Sequence, residues 1–363
     1  MGFLRTLLAI TVVCAHSPCM CDSFLVGGRN AVQLFYIISG FLIAHVLQTN
    51  MAYRSPIPFY KNRALRLYPI YFVVAVLSLL VYRGGNHLFF ELYGEIPVSA
   101  FVFLVFSNVF LFGQDVILFS SIRDGHLAYT FGLQTTALPL YIGLVVPPAW
   151  TLGVELSFYA LAPFILRRKT WIFSLLFLSI AVRGYLIAIG LGLKDPWSYR
   201  FFPAELSLFL LGALSQRYAL PAWTSFIKSM GGPPEKANRV AAAGTFAIVT
   251  ACLVYGMAPF SDSIKVPALF AIVLLLLPLA FLWQNNSRID RAIGDLSYPI
   301  YICHILVILS LGALPEALLP TGAVTQTIVN IFSSIIFALA LNRYVGKPVE
   351  LLRSRIKSIK TTP

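Results

Sequence analysis

An arginine and a histidine lie inside the first apolar segment of the chain, Met1–Met20. Arg5 and His16 are eleven residues apart, which in an α-helix is three turns plus about 20°, so both side chains project from one face. Along the helix axis they are roughly 16 Å apart, about half the thickness of a bilayer core. An ionisable side chain in a membrane helix is costly unless it faces the bundle interior, so both residues are candidates for a functional site. The alternative is that Arg5 only orients the helix and His16 is a hydrogen-bonded core residue.

A second basic pair opens a later apolar stretch, in the sequence FYKNRALRLYPIY (Phe59–Tyr71). Arg63 and Arg66 are three residues apart, so their guanidinium groups project from one helix face. Two arginines with this spacing can donate several charge-assisted hydrogen bonds to one phosphate or carboxylate group. The alternative is that both are orientation charges at the membrane surface, with their stems buried and their heads in water.

Carboxylates and a second histidine also fall inside apolar stretches. Glu155 lies about five residues into a predicted helix, with Thr151 one turn before it on the same face. A carboxylate there must be paired, hydrogen-bonded or in a wet cavity, and a purely structural buried pair is the alternative. Glu205 opens another helix, and we expect it to line the same cavity. His304 follows Tyr298 in a late apolar segment, where a hydrogen-bonded core histidine is the alternative to a catalytic one.

The composition predicts the kind of secondary structure on which these residues lie. Of the 363 residues, 58% are hydrophobic and only 11% are charged, whereas soluble domains carry about 25% charged residues. Runs of about 20 apolar residues predict an all-α, polytopic transmembrane helix bundle in a lipid bilayer. The net charge of +13 comes from short basic clusters between apolar runs, which is the positive-inside pattern and needs no nucleic-acid partner. No motif for a metal or a nucleotide cofactor occurs, so we expect no metal.

Basic clusters also predict the topology. The loop from Arg54 to Arg66 carries four basic residues and no acid, so we expect it to be cytoplasmic. Two crossings separate it from the start of the chain, and residues 343–363 form a basic tail, so both termini are predicted to be cytoplasmic. Arg5 then lies near the cytoplasm and His16 near the far face. We expect about 10 to 12 membrane segments in one domain, 1–363, with Leu127–Pro148 as the ambiguous one.

Six segments, taken in order, resemble the motifs of the acyltransferase-3 membrane family. They are LRTLLAITVVCAH (Leu4–His16), LFYIISGFLIA (Leu34–Ala44), FYKNRALRLYPIY (Phe59–Tyr71), WTLGVELSFYALAP (Trp150–Pro163), FFPAELSLFLLGAL (Phe201–Leu214) and IGDLSYPIYICH (Ile293–His304). The resemblance implies a multi-pass protein of the bacterial inner membrane that transfers an acyl group from acyl-CoA to a carbohydrate hydroxyl. Acetyl-CoA is the first candidate donor. The family's fused hydrolase-like domain has no counterpart in this sequence, which implies the stand-alone form.

The resemblance also implies roles for individual residues. The family's catalytic histidine falls on His16, and Glu155 falls on its conserved glutamate. Arg5, Arg63 and Arg66 would hold acyl-CoA, and further residues would line the substrate cavity: Trp150, Thr151, Glu205, Tyr298 and His304. Thr151 stands where serine is usual, and Gly346 stands where a glutamate often precedes Lys/Arg-Pro, with Glu350 nearby but out of register.

Two mechanisms follow from this assignment. A neutral His16 could act as general base on a sugar hydroxyl, with Glu155 holding its tautomer and stabilising the imidazolium. A covalent acyl-histidine is the other route. The competing classes are a multi-pass transporter or channel for a small polar solute, for which buried ionisable residues are equally ordinary, and a catalytically inactive family member.

Overall fold

The computed structural model describes residues 1–19, 25–85, 87–132, 138–315 and 321–357. Most of these residues are helical, and seven segments are long and apolar enough to cross a membrane. They are Gly27–Thr49, Pro56–Gly85, Lys169–Ala188, Pro234–Met257, Asp262–Gln284, Arg288–Gly312 and Ala323–Arg355. Two shorter apolar helices are Gly2–Ala15 and Val98–Phe110. A multi-pass helical membrane bundle is therefore confirmed, while the number of 10 to 12 crossings and the side of each terminus stay predictions.

The elements follow one another in chain order. The helices are α1 Gly2–Ala15, α2 Gly27–Thr49, α3 Pro56–Gly85, α4 His87–Glu95, α5 Val98–Phe110, α6 Gln114–Ile117, α7 Trp150–Ile165, α8 Lys169–Ala188, α9 Phe202–Leu214, α10 Leu220–Ser229, α11 Pro234–Val254, α12 Asp262–Asn286, α13 Arg288–Gly294, α14 Ser297–Gly312, α15 Ala323–Leu341 and α16 Lys347–Lys357. The strands are β1 Ser120–Arg123, β2 His126–Tyr129 and β3 Leu138–Pro139. The described part of the basic tail ends at Lys357.

A small antiparallel sheet, in the order β2-β1-β3, accompanies the predicted helical bundle. β1 and β2 form a hairpin in which Arg123 pairs with His126. The two residues between them, Asp124 and Gly125, have φ of 50° and 75°, the conformation of a type I′ turn. The ambiguous segment Leu127–Pro148 therefore contains strands and short 3-10 turns in its described part, and not a spanning helix.

Helix α1 lies at the centre of the bundle, where it contacts α2, α11, α13, α14 and α15. The fully buried Asp290 carboxylate accepts hydrogen bonds from the backbone N–H groups of Gly2 and Phe3, at 2.7 and 2.8 Å. These N–H groups have no partner within the helix, and a carboxylate at this end also complements the helix dipole. Past the other end, the Ser17 hydroxyl accepts a hydrogen bond from Asn330 at 3.1 Å. Both ends of α1 are thus fixed to neighbouring elements.

Helices α2 and α9 cross at two glycines. A Cβ atom on Gly40 would lie 1.9 Å from the carbonyl oxygen of Phe209, and one on Gly212 would lie 2.0 Å from that of Ile37. Small residues allow this close backbone approach, which compensates for the absence of a hydrophobic driving force between helices in lipid.

Replacing Gly40 with alanine tests the crossing. The added methyl group forces the two helices apart, so we expect the free energy of unfolding to fall by about 1–3 kcal/mol. Gly184→Ala on α8 is the matched control, because no atom lies within 4 Å of a Cβ atom there. Melting temperatures of the purified protein in detergent compare the two variants. Equal melting temperatures would contradict this account of the crossing.

Candidate active site

Three of the arginines predicted from sequence line a single cavity, here called the arginine cavity. Arg5 reaches it from α1, and Arg63 and Arg66 reach it from α3. Thr151 and Glu155 reach it from α7, and the cavity encloses about 750 Å³ including its open mouth. The helical periodicity of three separate segments therefore brings their polar faces to one place.

The arginine cavity carries an excess of positive charge. Arg63 is 6% exposed; its guanidinium donates to the Asn62 side chain at 3.1 Å and lies 5.9 Å from the ring centre of Tyr159. Within the described residues, Arg63 Nε has no hydrogen-bond partner, and neither Arg5 nor Arg66 forms a salt bridge. Three guanidinium groups around one carboxylate leave unused donors, which suits an anionic ligand.

Glu155 contacts this cavity and not His16. Its carboxylate accepts a 2.7 Å hydrogen bond from the Ser39 hydroxyl and a second, short one from the phenol of Tyr159. The expected partnership of Glu155 with His16 is therefore wrong in this structure. The reason lies in the packing, because α7 packs against α2, α3 and α9. A catalytic role for Glu155 stays a prediction.

His16 lies just past the end of α1, in a second and larger cavity, here called the histidine cleft. Its side chain is exposed, and the cleft encloses about 1880 Å³. Trp150, Arg200 and Tyr301 line the same cleft. The position gives the imidazole access to a bulky molecule.

The His16 imidazole touches a second histidine. His16 Nδ1 lies 2.9 Å from the Val12 carbonyl oxygen and 3.3 Å from Nε2 of His304. The other nitrogen of His304, Nδ1, lies 2.6 Å from the carbonyl oxygen of Tyr301. His304, which the sequence marks only as a candidate for the cavity wall, is in fact buried behind His16.

Arg200 is a residue of the cleft that sequence reasoning missed. Its guanidinium lies 4.3 Å from the ring centre of Trp150 and 4.6 Å from that of Tyr199, and it donates two hydrogen bonds to Asp195, at 2.6 and 2.8 Å. Burial raises the pKa of Tyr199 to about 12, which keeps this phenol neutral beside the arginine. Nothing in the spacing of a single loop arginine signals this position.

A third cavity, here called the basic chamber, completes a row of three. Lys347, Glu350 and Arg353 line it, and it encloses about 1170 Å³. It shares Arg5, Arg66 and Tyr298 with the arginine cavity, and the arginine cavity shares Val32 and Tyr301 with the histidine cleft. Each neighbouring pair of cavities therefore has lining residues in common.

The remaining candidates for the cavity wall have distinct positions. Tyr298 donates a 2.7 Å hydrogen bond to the Leu67 carbonyl, and Thr151 donates one of 3.0 Å to the Pro148 carbonyl. Trp150 lines the histidine cleft. In the part of the chain that the structure describes, no group of three His, Cys, Asp or Glu side chains could hold a metal ion.

Glu205 does not line any of the three cavities, which corrects the expectation from sequence. It is fully buried, pairs with Arg183 at 2.7 Å and accepts hydrogen bonds from Gln33 at 3.1 and 3.3 Å. The packing of α9 against α2 and α8 encloses this carboxylate. Glu205 is therefore one partner of a buried ion pair with Arg183.

Comparison with known proteins identifies the family. A family model described as an acyltransferase domain matches residues 1–343, nearly the whole chain. The chain belongs to the acyltransferase-3 family. No solved structure matches it.

Two relatives are similar to this acyltransferase-3 chain. Peptidoglycan O-acetyltransferase OatA of Listeria monocytogenes serovar 1/2a is 24% identical over 372 residues, covering 95% of this chain and 54% of OatA. An uncharacterized protein of Aquifex aeolicus is 33% identical over 72 residues, covering 20% of this chain and 32% of that protein. The chain thus spans about half the length of OatA.

The departure from the acyltransferase-3 pattern at Gly346 falls in the basic chamber. A Cβ atom there would lie 2.6 Å from the Asn342 side-chain oxygen, so a larger residue requires that side chain to move. The nearby Glu350 carboxylate is bound by Arg353 and lines the same chamber. A carboxylate is therefore present in the chamber, although not at the family's usual position.

Replacing Glu205 tests its structural role. Glu205→Ala leaves the Arg183 guanidinium in a largely buried site without its carboxylate, so we expect the free energy of unfolding to fall by about 3 kcal/mol. The double variant R183L/E205L removes both charges and should recover part of that loss. Thermal unfolding in detergent measures all three proteins. A Glu205→Ala protein of wild-type stability would show that the ion pair is dispensable.

Proposed function

We propose that this acyltransferase-3 protein is a membrane-embedded O-acyltransferase that moves an acyl group, with acetyl as the first candidate, from acyl-CoA to a hydroxyl of a carbohydrate. One observation carries the proposal: a cluster of arginines without a salt bridge among the described residues lines a cavity that shares lining residues with the cleft of an exposed histidine. The alignment with OatA, a relative named as a peptidoglycan O-acetyltransferase, supports the same chemistry.

The basic chamber and the arginine cavity suit the donor. Acyl-CoA carries phosphate groups at one end, which match the donors of Lys347, Arg66 and Arg5 by charge-assisted hydrogen bonds. Its pantetheine arm is long and thin, and the thioester lies at the far end of that arm. We propose that the arm passes from the basic chamber through the arginine cavity toward His16, following the roughly 16 Å of α1 between Arg5 and His16.

The histidine cleft suits the acceptor. His16 takes the proton of the acceptor hydroxyl as that oxygen attacks the thioester carbonyl carbon. The new C–O ester bond forms, the C–S bond breaks, and the proton passes from the imidazolium to the sulfur, which leaves as the CoA thiol. Both proton transfers use the His16 imidazole, and the acyl group passes directly from sulfur to oxygen.

Donor and acceptor reach this reaction from opposite ends of the row of cavities. The basic clusters at Arg54–Arg66 and in the tail favour a cytoplasmic basic chamber by the positive-inside rule, which is where acyl-CoA is available. The histidine cleft then faces the other side of a bacterial inner membrane, where surface carbohydrates are assembled. This arrangement explains why a multi-pass protein carries out the reaction.

Replacing His16 with alanine tests the proposed base. Loss of general-base catalysis lowers the rate by about 10²- to 10⁴-fold, while the protein should still fold, because the side chain is exposed. The assay follows label from [¹⁴C]acetyl-CoA into the glycans of host membranes that contain each variant. Wild-type labelling by a folded His16→Ala protein would rule out this mechanism.

Replacing Arg63 with alanine tests donor binding. Loss of charge-assisted hydrogen bonds should weaken acetyl-CoA binding about tenfold to a hundredfold. Lys61→Ala is the matched control, since Lys61 is an exposed cation on the same helix. Calorimetric titration of both purified variants with acetyl-CoA gives the affinities. Equal affinity for Arg63→Ala and wild type would remove this residue from the donor site.

A further inference from the structure

Two histidines from separate helices meet at the end of α1. His16 is exposed to the histidine cleft, and His304 of α14 is fully buried behind it. Their ring centres are 4.9 Å apart with an interplanar angle of 54°, and the shortest contact joins His304 Nε2 to His16 Nδ1 at 3.3 Å. The contact is a hydrogen bond, so one nitrogen donates and the other accepts.

The direction of this hydrogen bond follows from its neighbours. His304 Nδ1 lies 2.6 Å from the Tyr301 carbonyl oxygen, which can only accept, so Nδ1 carries the proton. In a neutral imidazole the other nitrogen then has a free lone pair. His304 Nε2 is therefore an acceptor directed at His16.

His16 Nδ1 faces two acceptors and must carry a proton. The first is His304 Nε2, and the second is the Val12 carbonyl oxygen at 2.9 Å. That carbonyl is available because the helix ends here: the His16 backbone N–H bonds to Val13 instead, at 3.2 Å. With Nδ1 protonated, the lone pair of neutral His16 is on Nε2.

We infer that His304 is a positioning residue that holds His16 in its reactive tautomer. The inference rests on the proposed function. His304 Nε2 accepts from His16 Nδ1, so His16 Nε2 is bare and takes the hydroxyl proton. The resulting imidazolium keeps its Nδ1–H bond to His304 until the Nε2 proton passes to the departing sulfur. His304 neither gains nor loses a proton, and it fills the orienting role that the sequence assigned to Glu155.

Helix α15 helps to fix the position of the His16 ring relative to the His304 ring. Past the end of α1, Ser17 accepts a hydrogen bond from Asn330 at 3.1 Å, and the Cys19 backbone N–H donates to the Thr327 hydroxyl at 3.1 Å. The adjacent α14 packs against both α1 and α15. The separation of His16 from His304 is thus fixed by helix packing and by side-chain bonds that involve neither ring.

Other titratable groups line the cleft around His16. The charged ones are Arg29 of α2, Arg200 of the α8–α9 loop, and Asp262 and Lys265 of α12. The phenols are those of Tyr141, Tyr199, Tyr255 and Tyr301. Among the described residues, His304 is the one whose side chain forms a hydrogen bond with the His16 imidazole. A pH–rate profile that responds to His304 therefore reports on this contact.

Variants of His304 separate positioning from packing. Glutamine can place its side-chain oxygen where Nε2 lies, whereas asparagine reaches only the Nδ1 position and leucine has no acceptor. We expect His304→Leu and His304→Asn to lower kcat about tenfold to a hundredfold with unchanged KM for acetyl-CoA. The acidic limb of the pH–rate profile should move to lower pH, because the imidazolium forms less readily when its Nδ1–H loses the His304 acceptor and keeps only the Val12 carbonyl of the two. His304→Gln should restore most of the rate and return the acidic limb to its wild-type pH.

The assay uses the whole 363-residue chain in host membranes with [¹⁴C]acetyl-CoA, and size-exclusion chromatography checks folding. If His304→Leu does not fold, the comparison is made between His304→Asn and His304→Gln. His45→Leu is the matched control, since His45 lines none of the three cavities, and it should keep the wild-type profile. Two results would overturn the positioning role. One is a loss of kcat that is equal at every pH and is not restored in His304→Gln. The other is a wild-type pH–rate profile in His304→Asn. Wild-type activity in His16→Ala would remove His16 as the base, and no labelling of glycans by the wild-type protein would instead overturn the proposed function itself.

Discussion

Charged side chains cannot be left facing lipid, and this constraint organises the centre of the molecule. In a bundle whose outer surface is apolar, every guanidinium and carboxylate must find a partner, an aromatic face or a cavity. Arg183 and Glu205 form an ion pair. Arg200 stacks on Trp150 and donates a hydrogen bond to Asp195. Among the described residues, Arg5 and Arg66 have neither kind of partner, and instead they line two cavities. The unpaired charges therefore mark the part of the bundle that is built to receive something polar.

Residues fixed by helical periodicity could be predicted from the sequence. Spacing alone placed Arg5 and His16 on one face of α1, and Arg63 beside Arg66 on α3, and the structure has each pair facing cavities. The reason is local: a regular helix fixes the direction of a side chain relative to its own neighbours. The composition likewise predicted a helical membrane bundle, because the length and hydropathy of each segment need no knowledge of its partners.

Contacts between distant segments could not be predicted in this way. Glu155 is the residue expected beside His16, whereas the packing of α7 and α14 places His304 there instead. Glu205 looked like a cavity residue because its partner Arg183 lies on another helix. The hairpin at Asp124-Gly125 was different, since that turn signal was present in the sequence. The apolar stretch that follows the turn obscures this signal, because its hydropathy is also compatible with a membrane-spanning segment.

Neighbouring cavities inside a membrane protein are also a potential leak for ions, and the charges of the lining side chains oppose such a leak. Three guanidinium groups surround the middle cavity and raise the electrostatic potential there, which opposes the passage of Na⁺ and H₃O⁺, as fixed positive charge does in selective pores. Val32 and Tyr301 form the wall on one side of that cavity, and Arg5, Arg66 and Tyr298 form the wall on the other. The arginines that suit an anionic ligand would therefore also help the protein to preserve the proton and sodium gradients of its membrane.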